Sequence, residues 1–471
     1  MTSHRENCLI RIIRFIFCIE RVNYVTTIQA GQWPGFMPRE VVMVLLQHWF
    51  GKVLLVSSLM LVFIVAGVAG AEEVKGKVKA VAVKGKTISV DVPGRGVMVL
   101  KFGDGTVFRN AKSVRDIQPD DAVIVSYAAE GGGNLASVIS RAVATLPPGV
   151  REMKVAELEV LVGKGSGERN YLLIDSRPKG KYNESHIPTA VSIPFAELEK
   201  QGEKLLPADK GTPLIFYCGG LTCVLSHKSA ALALKFGYNN VSALPEGEPG
   251  WKKAELPTES SLEFVKNGNI VLIDLRSPGS VQAGHIPRAV SISANKLGTA
   301  EKLFPAFKGA PIVFYGDSEA ELRAALETMR DWGYGNATLL PGGVNAWQAA
   351  GNALEKGAAA QTISFVRKSG PGEVTATDFK GAVHDGSALP VDARTAEEFD
   401  KGHVAGAVNI PAEDMARRFA ELPRERRVLF YCSTGSRAEM AYDVVKEKGL
   451  RVQFLKSGVE VGQDGKFVIN E

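Results

Sequence analysis

A motif that recurs three times at equal offsets constrains this chain more than any other feature of it. Leu172–Arg177 reads LLIDSR, Val271–Arg276 reads VLIDLR and Leu389–Arg394 reads LPVDAR. Eleven residues after each Asp comes a histidine (His186, His285, His403), and eighteen after it an isoleucine (Ile193, Ile292, Ile410). A second apolar run then follows each time: LIFYC at Leu214–Cys218, IVFYG at Ile312–Gly316 and VLFYC at Val428–Cys432. Each copy continues with a helical pattern that ends near Gly237, Gly333 or Gly449, and then a further short strand. Such self-similarity outweighs any single motif. Short apolar runs bounded by turn residues and separated by helical stretches are the pattern of buried parallel strands in an α/β unit. Each copy spans about 100 residues, enough for a domain core.

The third copy is the fullest. Asp392 and Arg394 are followed by Glu398, Gly402-His403, Gly406 and Ile410-Pro411, and then by Tyr431-Cys432-Ser433-Thr434-Gly435-Ser436-Arg437. These residues resemble the rhodanese superfamily in order and kind: Asp-x-Arg, Gly-His-x-x-Gly-Ala, and a cysteine loop that closes on arginine. The resemblance covers about residues 152–471. It implies three tandem rhodanese-like α/β domains with central parallel sheets flanked by helices, at 152–255, 258–354 and 372–471.

The chemistry differs between copies. In the third, Cys432 ends a strand, the next four residues are small, and a helix-compatible stretch begins at Arg437. A loop of small residues can turn successive N–H groups inward as an anion nest. A helix N-terminus adds positive potential. Both favour thiolate, the reactive form of cysteine. Ser433, Thr434, Gly435 and Ser436 are therefore expected to line a substrate site, with Arg437 as a fixed charge for an oxyanion such as thiosulfate. The resemblance implies the reaction: the thiolate takes a sulfane sulfur as a Cys432 persulfide and passes it to an acceptor. Four residues separate Cys432 from Arg437; phosphatases of the superfamily look like Cys-x5-Arg, so the shorter loop points to sulfur rather than phosphorus.

The first copy keeps a nucleophile, Cys218, but its first loop cation is Lys228, ten residues on. This resembles a long-loop variant found among exported bacterial proteins. Cys218 and Cys223 are close enough in sequence to form a disulfide, either as a resolving step after persulfide formation or as a staple. With His227 they make only three candidate ligands at no zinc spacing, so no metal is expected. The second copy has Gly316 in place of cysteine, followed by Asp317, Glu319 and Glu321, an acidic loop that repels anions; it is expected to be non-catalytic. Asp175 with Arg177, and Asp392 with Arg394, are expected to support their loops, with Arg394 paired to Glu398. The resemblance places the three histidines as structural. Trp251 and Trp347 read as core anchors, and the segment from Gly458 to the end as a hairpin.

Residues 72–146 differ in kind. Short alternating runs separated by Gly and Pro, such as Thr87–Val92 and Val97–Phe102, read as strands in tight succession and fit a small all-β barrel; Leu146-Pro147-Pro148-Gly149 is a linker. Before it, Val53–Val68 is strongly apolar, follows Lys52 and ends at Ala69-Gly70-Ala71, which reads as a secretory signal over 43–71. Residues 1–42 are then an extension or a start codon placed too early. An uncleaved inner-membrane anchor is the alternative. Formal net charge is +5 over 471 residues, three units of it in 1–71, so the remainder gives no reason to expect nucleic acid as partner. Five cysteines make no disulfide scaffold.

These readings converge on an exported, periplasmic sulfurtransferase without cofactor, acting on a small sulfur-containing anion and a thiol acceptor. Two rivals stay open: a periplasmic scaffold in which the domains bind a protein partner, and a thiol–disulfide or oxyanion redox protein using Cys218 and Cys223.

Overall fold

The computed structural model describes residues 72–130, 133–164 and 169–470. The leader read at 43–71, together with Cys8 and Cys18, lies outside them. Among the described residues no helix is long and apolar enough to cross a membrane.

The first six strands are β1 (Glu72–Ala82), β2 (Thr87–Val92), β3 (Gly96–Lys101), β4 (Val107–Arg109), β5 (Ala122–Glu130) and β6 (Gly133–Arg141). They run in the order β3-β2-β1-β5-β6-β4, and a Lys101–Leu135 pairing of β3 with β6 closes the sheet into a small barrel. Alternation builds it: Val74 and Val78, Ile88 and Val90, and Val123 and Val125 point inward and are buried. Register shifts in β1 at Val78/Ala80 and in β5 at Ser126/Tyr127 supply the curvature that closure needs.

Three parallel sheets follow. The first has the order β7-β11-β10-β8-β9, from β7 (Arg151–Glu152), β8 (Leu172–Asp175), β9 (Val191–Ser192), β10 (Leu214–Tyr217) and β11 (Val241–Leu244). The second, β13-β12-β14-β15, uses β12 (Val271–Asp274), β13 (Val290–Ser291), β14 (Ile312–Tyr315) and β15 (Ala337–Leu339). The third, β16-β20-β19-β17-β18, uses β16 (Glu373–Val374), β17 (Ala388–Asp392), β18 (Val408–Asn409), β19 (Arg427–Tyr431) and β20 (Val452–Leu455). The apolar runs of the repeat are the central strands. They are buried on both faces because each sheet separates two apolar clusters, as Phe216 and Tyr217 do in the first.

The Asp-x-Arg motif holds each domain in the same way. The carboxylate of Asp175, Asp274 or Asp392 takes a bidentate bond from the arginine two residues on, and that arginine donates 2.7 Å onward to the carbonyl of Ser185, Gly284 or Gly402. The expected Arg394–Glu398 pair is therefore corrected: Arg394 is held by Asp392, and Glu398 pairs elsewhere. The next residue is a histidine in each repeat, and its Nδ1 meets the carbonyl four residues back, of Tyr182, Val281 or Phe399. The backbones of His186 and His285 also exchange paired hydrogen bonds with Glu259 and Glu355, so these two positions tie down the segments that leave the first and second domains.

Trp251 and Trp347 are buried, each with its indole N–H donated to a carbonyl, of Pro257 at 2.7 Å and Ala353 at 2.8 Å. The third domain ends instead in the antiparallel hairpin β21 (Gly458–Val461) and β22 (Phe467–Asn470), with Val459 and Ile469 packed into the cluster around Tyr431.

Candidate active sites in the first and third domains

Cys432 stands at the carboxyl end of β19, where parallel strands present their ligand sites. The chain turns through Ser433, Thr434 and Gly435 into the helix Ser436–Val445. Gly435 is required at that turn: its φ is +83°, and a Cβ there would fall 1.7 Å from the carbonyl oxygen of Lys456. The helix has no side-chain cap at its N-terminus. Among the described residues none of the backbone N–H groups from Thr434 to Ala438 has a protein acceptor. These donors stand beside the cysteine, which is the arrangement that receives an anion.

Arg437 is buried, 1% exposed. Its two terminal nitrogens reach the Glu398 carboxylate, Nη1 at 2.5 Å and Nη2 at 2.9 Å, and Nη2 also donates to Ser433 Oγ at 3.0 Å. Arg437 thus braces the loop through Ser433. Only Nε lacks a partner. Burial works against its charge, but the Glu398 bond and the charges of Cys432, Glu398 and Glu413 outweigh it and hold the guanidinium above its ordinary range. The same bond pulls Glu398 down to about 2.

The barrel forms a wall of this site. The β1–β2 turn lies on Arg437, and Ala82 and Val99 belong to the apolar cluster that contains Cys432. Lys101 pairs with the buried carboxylate of Glu413 at 2.9 Å, and Thr87 Oγ1 approaches Met440 Sδ at 3.7 Å. On another side the barrel meets the first domain's cysteine loop: Thr222 Oγ1 donates to Asp121 at 3.0 Å, and Ala144 N–H to the carbonyl of Leu221 at 2.8 Å. One small barrel therefore touches both cysteine loops. No local pattern in the sequence signals this.

In the first domain, Cys218 ends β10 and is 1% exposed. The loop to the helix Leu225–Lys235 is six residues long and carries Cys223, which is half-buried. All three described cysteines are free thiols, so the Cys218–Cys223 disulfide allowed by the sequence is not formed here. The Cys218 thiol instead donates to the Cys223 carbonyl at 3.2 Å and lies 3.1 Å from Ser226 Oγ. Lys228 is exposed, its ammonium 5.5 Å over the Phe195 ring. Glu248, missed from sequence, is buried beside Arg177, accepts from Ser185 and pairs with Lys252 at 3.0 Å. Its N–H also holds the Cys218 carbonyl at 3.1 Å. The recurring segment before Trp251 was the signal that could have found it.

A cavity of about 630 Å³ opens where β8 and β9 end, between Phe195, Leu205 and the first residue of the cysteine-loop helix, Leu225. Ser176 and Ser192, which also line it, keep buried hydroxyl oxygens without partners. In the second domain Gly316 ends β14, two residues separate it from the helix Glu319–Asp331, and no left-handed glycine shapes the loop. It has neither thiol nor nest.

The family model described as the rhodanese-like domain matches this chain three times, over residues 157–254, 259–350 and 375–464. A thiosulfate sulfurtransferase of Coxiella burnetii is 31% identical over 94 residues, 20% of this chain and 82% of that protein. An HTH-type transcriptional regulator of Mycobacterium tuberculosis is 32% identical over 111 residues, 24% of this chain and 46% of its own length. The chain thus spans less than half of that relative. Among solved structures, a thiosulfate sulfurtransferase from Pseudomonas aeruginosa aligns at 18% identity and a TM-score of 0.21, covering 65% of this chain and 66% of that one.

Proposed function

The chain belongs to the rhodanese-like family, and on that premise we propose that it is an exported sulfurtransferase that carries sulfane sulfur as a cysteine persulfide. The observation that carries the reading is Cys432 at the head of an uncapped helix, beside backbone N–H groups that have no protein acceptor. Sulfur-transfer names among its relatives support it. With thiosulfate as donor, the Cys432 thiolate attacks the outer sulfur. Sulfite leaves with the electrons of the broken S–S bond, and the free N–H groups stabilise the anionic persulfide. A thiol acceptor then attacks that sulfur and restores Cys432, a double displacement. The second domain, without a thiol, serves as a spacer.

The deciding experiment is intact-mass analysis after thiosulfate, with each cysteine replaced in turn. A one-sulfur adduct that vanishes in Cys432→Ser is expected; no adduct on any cysteine would favour a partner-binding scaffold. Export rests on the apolar run before Ala69-Gly70-Ala71. The expected mature N-terminus is Glu72, and an end at Met1 or Met43 would favour an anchored form.

A further inference from the structure

We propose that the first domain uses its two cysteines as a pair, in which Cys223 takes up the sulfane sulfur and Cys218 then displaces it as sulfide. This rests on the sulfur-transfer reading above and reverses the roles expected from sequence, where the strand-end cysteine is the nucleophile.

The two thiols are unequally placed. Cys218 is 1% exposed and its S–H is engaged by the Cys223 carbonyl and by Ser226 Oγ. Cys223 lies further out on the loop, half-buried. It stands two residues before the helix Leu225–Lys235, whose N-terminus has no side-chain cap, and its sulfur lies beside Gly219, where a Cβ would be 3.9 Å from it. A position just before an uncapped helix N-terminus is a setting that stabilises thiolate. Lys77 of the barrel adds a positive charge from outside the domain. The electrostatics run the same way: the neighbouring Cys218 side chain draws the Cys223 thiol down, whereas burial drives Cys218 up. Cys223 is thus placed to react first and Cys218, beside it and buried, to follow.

The chemistry that follows needs no oxidant beyond the sulfane sulfur itself. The Cys223 thiolate attacks the outer sulfur of thiosulfate, sulfite leaves with the bonding pair, and a Cys223 persulfide anion results. Cys218 sulfur then attacks Cys223 sulfur. The Cys218–Cys223 bond forms, the bond from Cys223 to the outer sulfur breaks, and the Cys218 proton leaves with that sulfur as HS⁻. Two thiols are oxidised to a disulfide and one sulfane sulfur is reduced to sulfide, by ordinary thiol–disulfide exchange. An external thiol or dithiol resets the pair. In the third domain Cys432 has no second thiol among the described residues. Its persulfide therefore waits for an external acceptor.

The test uses the full chain carrying Cys432→Ser, reduced, freed of reductant and given either thiosulfate or inorganic polysulfide. We expect a single turnover that releases one sulfide per chain and leaves a protein lighter by two hydrogens. With Cys218→Ser added, the one-sulfur adduct should persist on Cys223 with sulfide release cut at least tenfold. With Cys223→Ser added, both adduct and sulfide should fall at least tenfold. A full-yield adduct on Cys218 in that last protein, or a lasting adduct without sulfide when both thiols are present, would overturn the proposal. Polysulfide loading separates the two readings. If thiosulfate loads no cysteine of the parent but polysulfide still yields sulfide and disulfide, the donor assignment fails and the paired mechanism stands. If polysulfide yields neither, the paired mechanism fails.

Discussion

Gly85, in the turn between β1 and β2 of the barrel, lies against the side chain of Arg437, the residue that braces the Cys432 loop. A Cβ at position 85 would sit 2.7 Å from Arg437 Cδ and 2.8 Å from its Nε. The arginine cannot swing away without giving up its fork on Glu398 and its bond to Ser433. Gly85→Ala should therefore displace Arg437, destabilise the chain by about 1–3 kcal/mol through overpacking and lower sulfur transfer at Cys432. Gly103→Ala is the control, since a Cβ there meets nothing within 4 Å. Thermal melts and single-turnover persulfide yields on both variants measure the difference; equal behaviour would remove the barrel from the site.

Glu398 titrates at about 2 because Arg437 holds its charged form. The folded state binds that proton more weakly than the unfolded chain, whose value is near 4.5. The pair's contribution is thus complete above about pH 4.5 and fades as pH falls toward 2. Glu398→Gln should cost about 1–3 kcal/mol at pH 7, less than for a fully buried pair because water screens the exposed side of the carboxylate. The deficit should shrink in denaturation curves taken between pH 4.5 and 2.5, and a deficit independent of pH would contradict the ion pair.

Glu259, which joins the first two domains through His186, behaves oppositely. Burial raises its carboxyl to about 7, with Arg169 opposing weakly. The folded state here binds the proton more tightly, so stability is lost as pH rises from about 4.5 through 7. Glu259→Gln keeps the backbone pairing and removes the titrating group. It should stabilise the chain by roughly 2 kcal/mol at pH 8 and change little at pH 4. Urea melts at the two pH values test this, and equal shifts at both would refute the assignment.

Position 316 separates sterics from electrostatics. A Cβ there meets Leu275 Cβ at 3.4 Å, an ordinary contact, so Gly316→Cys should fold. Its thiol would face Asp317, Glu319 and Glu321 on a loop without a left-handed glycine, where like charge disfavours thiolate and repels an anionic donor. With the native cysteines replaced by serine, this protein should gain no persulfide from thiosulfate. Persulfide at position 316 would show that neither the acidic loop nor the missing nest controls reactivity.

Local order was determined by the sequence itself. The 100-residue repeat, the central strands, the barrel and the difference among Cys218, Gly316 and Cys432 all follow from patterns that act over a few residues, because strand alternation and turn chemistry are short-range. The bond from Asp392 to Arg394 spans two residues, yet Arg394 was expected on Glu398, since a second acceptor four positions on is equally near in sequence. The true partner of Glu398 is Arg437, thirty-nine residues away. The choice was decided when β19 and β17 paired and brought the cysteine loop over the Glu398 helix. Likewise only packing laid Gly85 on Arg437 and buried Cys218 while leaving Cys223 half-buried beside it. Which residues can carry charge or sulfur was written along the chain; which of them share a proton, a salt bridge or a wall depends on distances that exist only after the strands have paired and the barrel has docked.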